Sequence, residues 1–176
     1  MADYYQALLL LGSNIDPEIN LPLAVHKLGR YGRVRRISGV WESPAMGNPG
    51  APGFLNAALL LETSLSAGEL KEAAIARVEA ELGRVRCDDR NAPRTMDIDI
   101  ILFGHSGLLI GSLSFPDPDL LKRPFVAIPV AEIAPKHIHP ETGETFEEIS
   151  ARFNKETWRM RRRPDVLLES EEIAIG

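Results

Sequence analysis

The run Arg94-Thr95-Met96-Asp97-Ile98-Asp99-Ile100-Ile101-Leu102-Phe103 constrains the fold more than any other part of this chain. It reads as an apolar strand with an arginine at its start and two carboxylates built into one face. Side chains alternate between faces along a strand, so Asp97 and Asp99 share one face while Met96, Ile98, Ile100 and Leu102 turn the other way into a core. Two acids roughly 7 Å apart, at about 3.3 Å of rise per residue, form a seat for a hard, oxygen-ligated cation such as Mg2+. Burying the pair without a cation would leave two like charges side by side, which shifts pKa values and costs stability. The tripeptide alone is also compatible with a structural Asp-x-Asp on an exposed sheet face. Arg84, Arg86, Arg90 and Arg94, all just upstream or at the strand's start, favour the functional reading.

A chain of 176 residues with 44% hydrophobic content can build one domain around a real core. The formal charge of −5 argues against general nucleic-acid binding, so an anionic ligand has to be met by a local basic patch. The single Cys87 offers no intrachain disulfide and no cysteine–histidine cluster, which fits a reducing cytoplasm and excludes structural zinc. Asp3 precedes the first apolar run without a basic segment and long apolar stretch, so no signal peptide is expected. No apolar run reaches the ~20 residues that span a bilayer. A soluble, cytoplasmic protein with no membrane partner is the expectation.

Gln6 to Leu11 reads as a buried strand that ends in the turn Gly12-Ser13-Asn14. Ile19, Leu23, Val25 and Leu28 recur at near-helical spacing and predict a helix from Pro17 to Arg30, with Gly29 and Gly32 at its exit. Arg33 to Trp41 reads as a second strand, and the proline- and glycine-rich stretch from Glu42 to Gly53 as a long loop, of the kind that serves as a lid or binding loop. Phe54 to Thr63 is again a strand. Ser66 and Glu69 form a capping box that opens a second helix running to Gly83. The polar segment from Arg84 to Pro93 is a second loop that delivers the chain to the Asp-x-Asp strand. Strand, helix, strand, strand, helix, strand is the split βαβ order of a ferredoxin-like α+β sandwich. C-terminal additions follow: an apolar run from Leu108 to Leu113, a turn at Phe115-Pro116-Asp117-Pro118, an apolar segment from Phe125 to Ile133, and a polar end. The chain contains no evident repeat.

The sequence resembles the 6-hydroxymethyl-7,8-dihydropterin pyrophosphokinase family from Leu9 to about Arg152. The resemblance rests on Gly12-Ser13-Asn14, on Phe54-Leu55-Asn56-Ala57-Ala58, and above all on Gly83-Arg84-Val85-Arg86 followed by the run from Ala92 to Ile101. Leu121-Lys122-Arg123-Pro124-Phe125 and Glu132-Ile133-Ala134-Pro135 follow in the family's order. The resemblance implies transfer of the β,γ-diphosphate of ATP, the co-substrate, to the hydroxymethyl group of a reduced pterin, with release of AMP. It further implies that Asp97 and Asp99 hold two Mg2+ ions, and that Arg84 and Arg94 grip the phosphates and stabilise the transition state, with Arg86 and Arg123 as lesser contacts. Such a site relies on positioning and charge neutralisation. Either Asp99 or solvent takes the hydroxyl proton.

The same match assigns the pterin to an aromatic pair, Phe54 and Phe125, with Asn56 reading the heterocycle's edge and Ser43, Ala45 and Met46 supplying further contacts. By composition alone Phe54 and Phe125 would be core residues. Glu79 matches a position near the adenine side. Asp117 stands among the nucleotide contacts where relatives carry histidine; a carboxylate there cannot donate to phosphate and repels ATP unless rotated away or shared with a metal. Cys87 and Asn91 occupy loop positions where some relatives place a basic residue and a tryptophan, which implies a looser seal. His137 and His139 read as part of a polar loop rather than a metal site. Residues 1–155 are expected to form the catalytic domain, with 156–176, including the basic run Arg159 to Arg163 and Glu169, Glu171 and Glu172, as an appendage. The expected partners are small molecules only, with the chain acting as a monomer. Two other classes use part of this pattern: a metal-dependent nuclease or phosphatase, and a non-catalytic ferredoxin-like ligand-binding module, which would not need Asp97 and Asp99.

Overall fold

The computed structural model describes residues 3–105 and 115–170. The apolar run from Leu108 to Leu113 and the acids Glu171 and Glu172 lie outside the described residues. The central strand β1 (Tyr5–Ser13) is buried along most of its length and pairs antiparallel with two neighbours, β4 (Phe54–Thr63) and β5 (Asp97–His105). Beyond β4 lie β2 (Arg33–Ile37) and β3 (Trp41–Ser43), both antiparallel to it, and β3 carries the short β6 (Arg161–Arg162) on its outer edge. With β2 and β3 counted as one interrupted strand, the order β5, β1, β4, β2/β3 is that of the expected ferredoxin-like α+β sandwich.

The second strand is therefore split where a continuous one was expected. Ser38 is the reason: its Oγ accepts the Ala58 N–H at 2.8 Å and its own N–H donates to the Ala58 carbonyl at 2.9 Å. A side-chain oxygen thus replaces a ladder carbonyl, and the chain gains a residue between the Ile37–Leu59 and Trp41–Asn56 pairs.

Helix α1 (Pro17–Leu28) and the helical segment α2 (residues 67–81) cover one face of the sheet. Pro17 opens α1 at a position where its missing N–H costs nothing, and Glu18 at the start and Lys27 at the end suit the helix dipole. The Ser66–Glu69 capping box opens α2 as expected, and Leu70–Ile75 is wound as a π-helix. Leu9, Leu11, Leu59 and Ile98 meet Leu21, Val25, Ala74 and Val78 in this layer.

The other face, holding Leu8, Leu10 and Ala58, is covered by the C-terminal additions α3 (Asp119–Lys122), α4 (Pro124–Ile133) and α5 (Phe146–Ala151). Asp97 and Asp99 lie on this second face, sharing rows with Gly12 and Leu10. Leu102 shares it too, against the simple alternation. Between Leu8 and Leu9 the register slips by one residue, so Ile101 is an extra residue in β5 and flips everything after it. Ile98 and Ile100 pack with the first layer, while Ile101 and Leu102 pack with the second.

The segment from 156 onward, expected as an appendage, contributes Arg161–Arg162 to the edge of the sheet. Arg163 donates its N–H to the Val40 carbonyl at 2.9 Å, Met160 packs with Trp41 and Ile128, and Val166 joins the first core layer. Three of its arginines pair within the chain: Arg161 and Arg163 with Glu42, and Arg162 with Glu132. Among the described residues no helix is long and apolar enough to cross a membrane.

Candidate active site

The ends of β1, β3, β4 and β5 meet under a cavity of about 430 Å3. Its floor is a cross-strand row, Asn56, Gly12 and Asp97, on the second face of the sheet. Gly12 keeps that floor low, since a Cβ there would sit 3.4 Å from Asn56 Oδ1 and 3.8 Å from the Phe54 ring. At one end Asn56 is buried, and its amide donates to Ser43 Oγ at 2.9 Å and to the Trp41 carbonyl at 3.3 Å. Those two bonds fix the amide's orientation, which leaves Oδ1 as the atom next to Gly12. Phe54, Phe125, Ser43 and Met46 line the same end. Ala45 lies between the lining residues Pro44 and Met46 and is half-buried.

The other end carries the charges. Asp97, Asp99, Arg94 and Arg123 line the cavity, whereas Arg84 and Arg86 line an adjoining pocket of about 190 Å3 that shares Arg90 and Arg94 with it. Arg84 gets there by a local turn. Gly83, at φ +82°, donates to the Ala80 carbonyl, and Arg84 N–H reaches back to the Glu79 carbonyl at 3.0 Å, a helix ending that only a left-handed residue permits. The turn sets the Arg84 guanidinium against the Glu79 carboxylate, where Nη1 lies 2.7 Å from Oε1. The same Nη1 donates to Asp97 Oδ1 at 2.8 Å, and Arg94 Nη1 donates to Asp97 Oδ2 at 2.5 Å. Both oxygens of Asp97 are thus held by arginines.

Asp99 shares the face but not the partners. Its carboxylate opens onto the cavity, yet confinement by the cavity walls and the nearby charges of Asp97, Asp117 and Glu79 push its pKa up to about 7, against the pull of Arg84. Burial also raises Glu79, which accepts the Ile98 N–H at 2.9 Å and feels Arg84 in the opposite sense. Burial disfavours the charge of Arg84, but Asp97 and Glu79 outweigh it and hold the guanidinium protonated.

Not every expected site residue reaches the cavity. Glu79 is 4% exposed and faces Arg84 and the backbone of β5, behind the charged end of the site. Arg86 stands 3.7 Å from the same carboxylate. Asp117 turns its Oδ1 to the Asp119 N–H at 2.8 Å, in the turn ahead of α3, and its charge acts on Asp99.

Asn14 carries a role the sequence reading missed, having been taken only as part of a turn. Its Oδ1 accepts the Arg94 N–H at 2.7 Å and its Nδ2 donates to the Pro52 carbonyl at 3.3 Å, so one buried side chain ties both site loops to the end of β1. The loops also touch directly. At Gly47, where φ is +73°, a Cβ would come within 3.0 Å of Asn91 Nδ2. Leu10, which lines the cavity beside Asp99, could have been found by pairing the alternation of β1 with that of β5.

The donor set fits magnesium. Among the described residues no cluster of three or more His, Cys, Asp or Glu is placed to hold a metal, so the chain offers two carboxylates on one face. Mg2+ is commonly held by one or two carboxylates together with substrate phosphates and water, and a cation here would relieve the crowding that raises Asp99.

A family model described as 7,8-dihydro-6-hydroxymethylpterin-pyrophosphokinase matches residues 8–135. The chain is 37% identical over 146 residues to the 2-amino-4-hydroxy-6-hydroxymethyldihydropteridine pyrophosphokinase of Synechocystis sp., covering 81% of this chain and 73% of that protein. It is 34% identical over 168 residues to the enzyme of the same name from Bacillus subtilis, covering 94% of this chain and 97% of that one. Among solved structures, the Plasmodium falciparum HPPK-DHPS wild type with SDX-DHP matches at a TM-score of 0.66 and 13% identity, over 89% of this chain and 46% of that one. The chain thus spans about half the length of that longer protein, and the likeness bears on the fold.

Proposed function

The chain belongs to the 7,8-dihydro-6-hydroxymethylpterin-pyrophosphokinase family, and from that membership we propose how its own residues divide the work. The reaction moves diphosphate from ATP to the hydroxymethyl group of 6-hydroxymethyl-7,8-dihydropterin, giving the pterin diphosphate and AMP in folate biosynthesis. The observation that carries our assignment is a single cavity with an aromatic and amide end and a carboxylate and arginine end.

In this reading the pterin lies between Phe54 and Phe125, with Asn56 Oδ1 accepting from its edge and Ser43 fixing the Asn56 amide. Met46 and the backbone at Ala45 close that end, with Arg123 a lesser contact from the charged end. Arg84 and Arg94 bind the phosphate chain and stabilise the charge that develops on its oxygens, and Arg86 adds a weaker contact. Asp97 and Asp99 hold the divalent cations, two Mg2+ in our assignment. When bound, these neutralise phosphate charge and acidify the attacking hydroxyl. Because Asp99 would be committed to holding a cation, we assign the departing proton to solvent. Glu79 holds Arg84 in place, and Asp117 acts as a fixed negative charge beside Asp99.

We place the site within residues 1–155, with 156–176 as a C-terminal appendage, in a cytoplasmic, monomeric enzyme whose partners are ATP and the pterin. Incubation with ATP, Mg2+ and the hydroxymethyl pterin is expected to yield AMP in step with pterin diphosphate. Formation of ADP or of free phosphate instead would overturn diphosphate transfer.

A further inference from the structure

Glu132, near the C-terminal end of α4, does not line the cavity, yet it grips the strand that sets the cavity's amide end. Its Oε1 accepts the Trp41 indole Nε1–H at 2.5 Å, and its Oε2 accepts the Gly39 N–H at 2.8 Å. Trp41 in turn accepts the Asn56 amide on its main-chain carbonyl, and Ser43 accepts it on Oγ. We propose that Glu132 is a positioning residue for the pterin: it fixes β3 against α4, and so fixes the Asn56 amide in relation to Phe125. This rests on the reading of Asn56 and Phe125 as the pterin's contacts.

β3 needs such an anchor because its own ladder is short. It pairs with β4 only at Trp41, Glu42 and Ser43. Before those residues the ladder is interrupted at Ser38, whose side chain bonds to Ala58, and after them the chain enters the loop that runs to Gly53. The interruption leaves the Gly39 N–H outside the ladder, and the Glu132 carboxylate takes it up. On the outer edge β6 pairs at Trp41 and Glu42, so Ser43 lies beyond that support as well.

The helix supplies the other half of the link. Phe125, Ile128 and Glu132 stand at i, i+3 and i+7 of α4, which is one stripe of a helix. Ile128 packs with Trp41 and Met160, and Phe125 packs against that cluster. The Asn56 amide is therefore held from β3 and the Phe125 ring from α4, so the gap between them is set by how the two elements meet. Apolar packing is non-directional and tolerates sliding, whereas two charge-assisted hydrogen bonds from one carboxylate do not. Arg162 adds a longer contact to Oε1 at 3.4 Å, which leaves the two short bonds as the ones that fix β3.

The test is steady-state kinetics with Mg2+, in which pterin and ATP are varied in turn. Glu132→Leu removes both acceptors and is expected to raise the KM for pterin about tenfold, the scale of one hydrogen bond to the ring lost, while kcat and the KM for ATP stay within about twofold. Trp41→Phe keeps a ring against Ile128 and Met160 and deletes the indole N–H, so it is expected to raise the pterin KM about threefold. On an Asn56→Ala background neither substitution is expected to raise it further, because the amide they position is gone. Where Glu132→Leu fails to fold, Trp41→Phe and its combination with Asn56→Ala decide the matter. An equal rise in the KM for ATP, an unmoved pterin KM in Trp41→Phe, or a full further rise on the Asn56→Ala background would each overturn the proposal. A pterin KM unmoved by Asn56→Ala alone would remove the edge-reading assignment beneath it, and the proposal with it.

Discussion

The carboxylate of Glu79, buried at the C-terminal end of α2, holds the guanidinium of Arg84 at 2.7 Å across the turn made by Gly83. This pair converts a mobile surface arginine into a positioned one. Glu79→Gln keeps an acceptor for the Ile98 N–H but loses the charge, so it should leave thermal stability nearly unchanged while lowering kcat about tenfold and sparing the KM for pterin. Glu79→Leu strands that N–H and should cost about 1–3 kcal/mol of stability. Denaturant unfolding and steady-state kinetics on both variants separate the two roles, and a pterin KM that rises with kcat unchanged would contradict this assignment.

Asp99 makes metal-free stability depend on pH. Its pKa is about 7 in the folded chain against an ordinary 3.8, so between those values the folded state holds a proton that the unfolded state has released. The contribution of this group is fully present below about pH 4 and is lost as pH rises through about 7. The metal-free protein should therefore gain stability from this group on going from pH 8 towards pH 5, and Asp99→Asn should melt higher than the unsubstituted chain at pH 8 while losing turnover. Thermal melts with and without Mg2+ and ATP check both statements. An Asp99→Asn melting temperature that is lower at pH 8 would show that the carboxylate is not under strain.

How much of this was legible beforehand depends on how local each cause is. The capping box at Ser66 and Glu69 is contained in four residues, and the shared face of Asp97 and Asp99 in three, so both could be read directly. The face of Leu102 could not, because the extra residue at Ile101 is set by how β5 registers on Leu8 and Leu9 of a distant strand. Gly83 announced the end of α2, but nothing in its neighbourhood says that Glu79 is buried; β5 must first lay its Ile98 N–H against that carboxylate. Ser38 breaks the second strand by bonding to Ala58, twenty positions on, and Asn14 reaches Pro52 and Arg94 in two separate loops. Single polar side chains with distant partners leave no periodic trace in a sequence.

Asn14 should act on both loops at once. Asn14→Ala removes the acceptor of the Arg94 N–H and the donor to the Pro52 carbonyl, so it should cost about 1–3 kcal/mol of stability through the stranded Arg94 N–H. Because Arg94 belongs to the phosphate end and the Pro52 loop carries Met46 beside the pterin end, kcat/KM should fall for ATP and for pterin together. Steady-state kinetics with each substrate varied in turn provide the check. A loss confined to one substrate would mean that the two loops are positioned independently.

The C-terminal strap gives the last prediction, and its cost lies in packing rather than charge. Exposed Arg161 and half-buried Arg163 bridge to Glu42 at 3.0 Å, and a pair such as Arg161–Glu42 is worth about 0–1 kcal/mol. Met160 and Val166 are buried against Trp41 and the first core layer, and each apolar side chain contributes about 1.5–3 kcal/mol when fully buried. Truncation after residue 155 should therefore destabilise the chain by several kcal/mol, whereas Arg161→Ala should be nearly silent. The truncation also uncovers the outer edge of β3, the strand whose Ser43 orients Asn56. Where the truncated chain still folds, its KM for pterin should rise more than its KM for ATP, because the freed strand borders the aromatic and amide end and not the arginines. Urea unfolding and paired KM measurements decide it: an unchanged pterin KM would make the strap a stabilising edge with no bearing on the site.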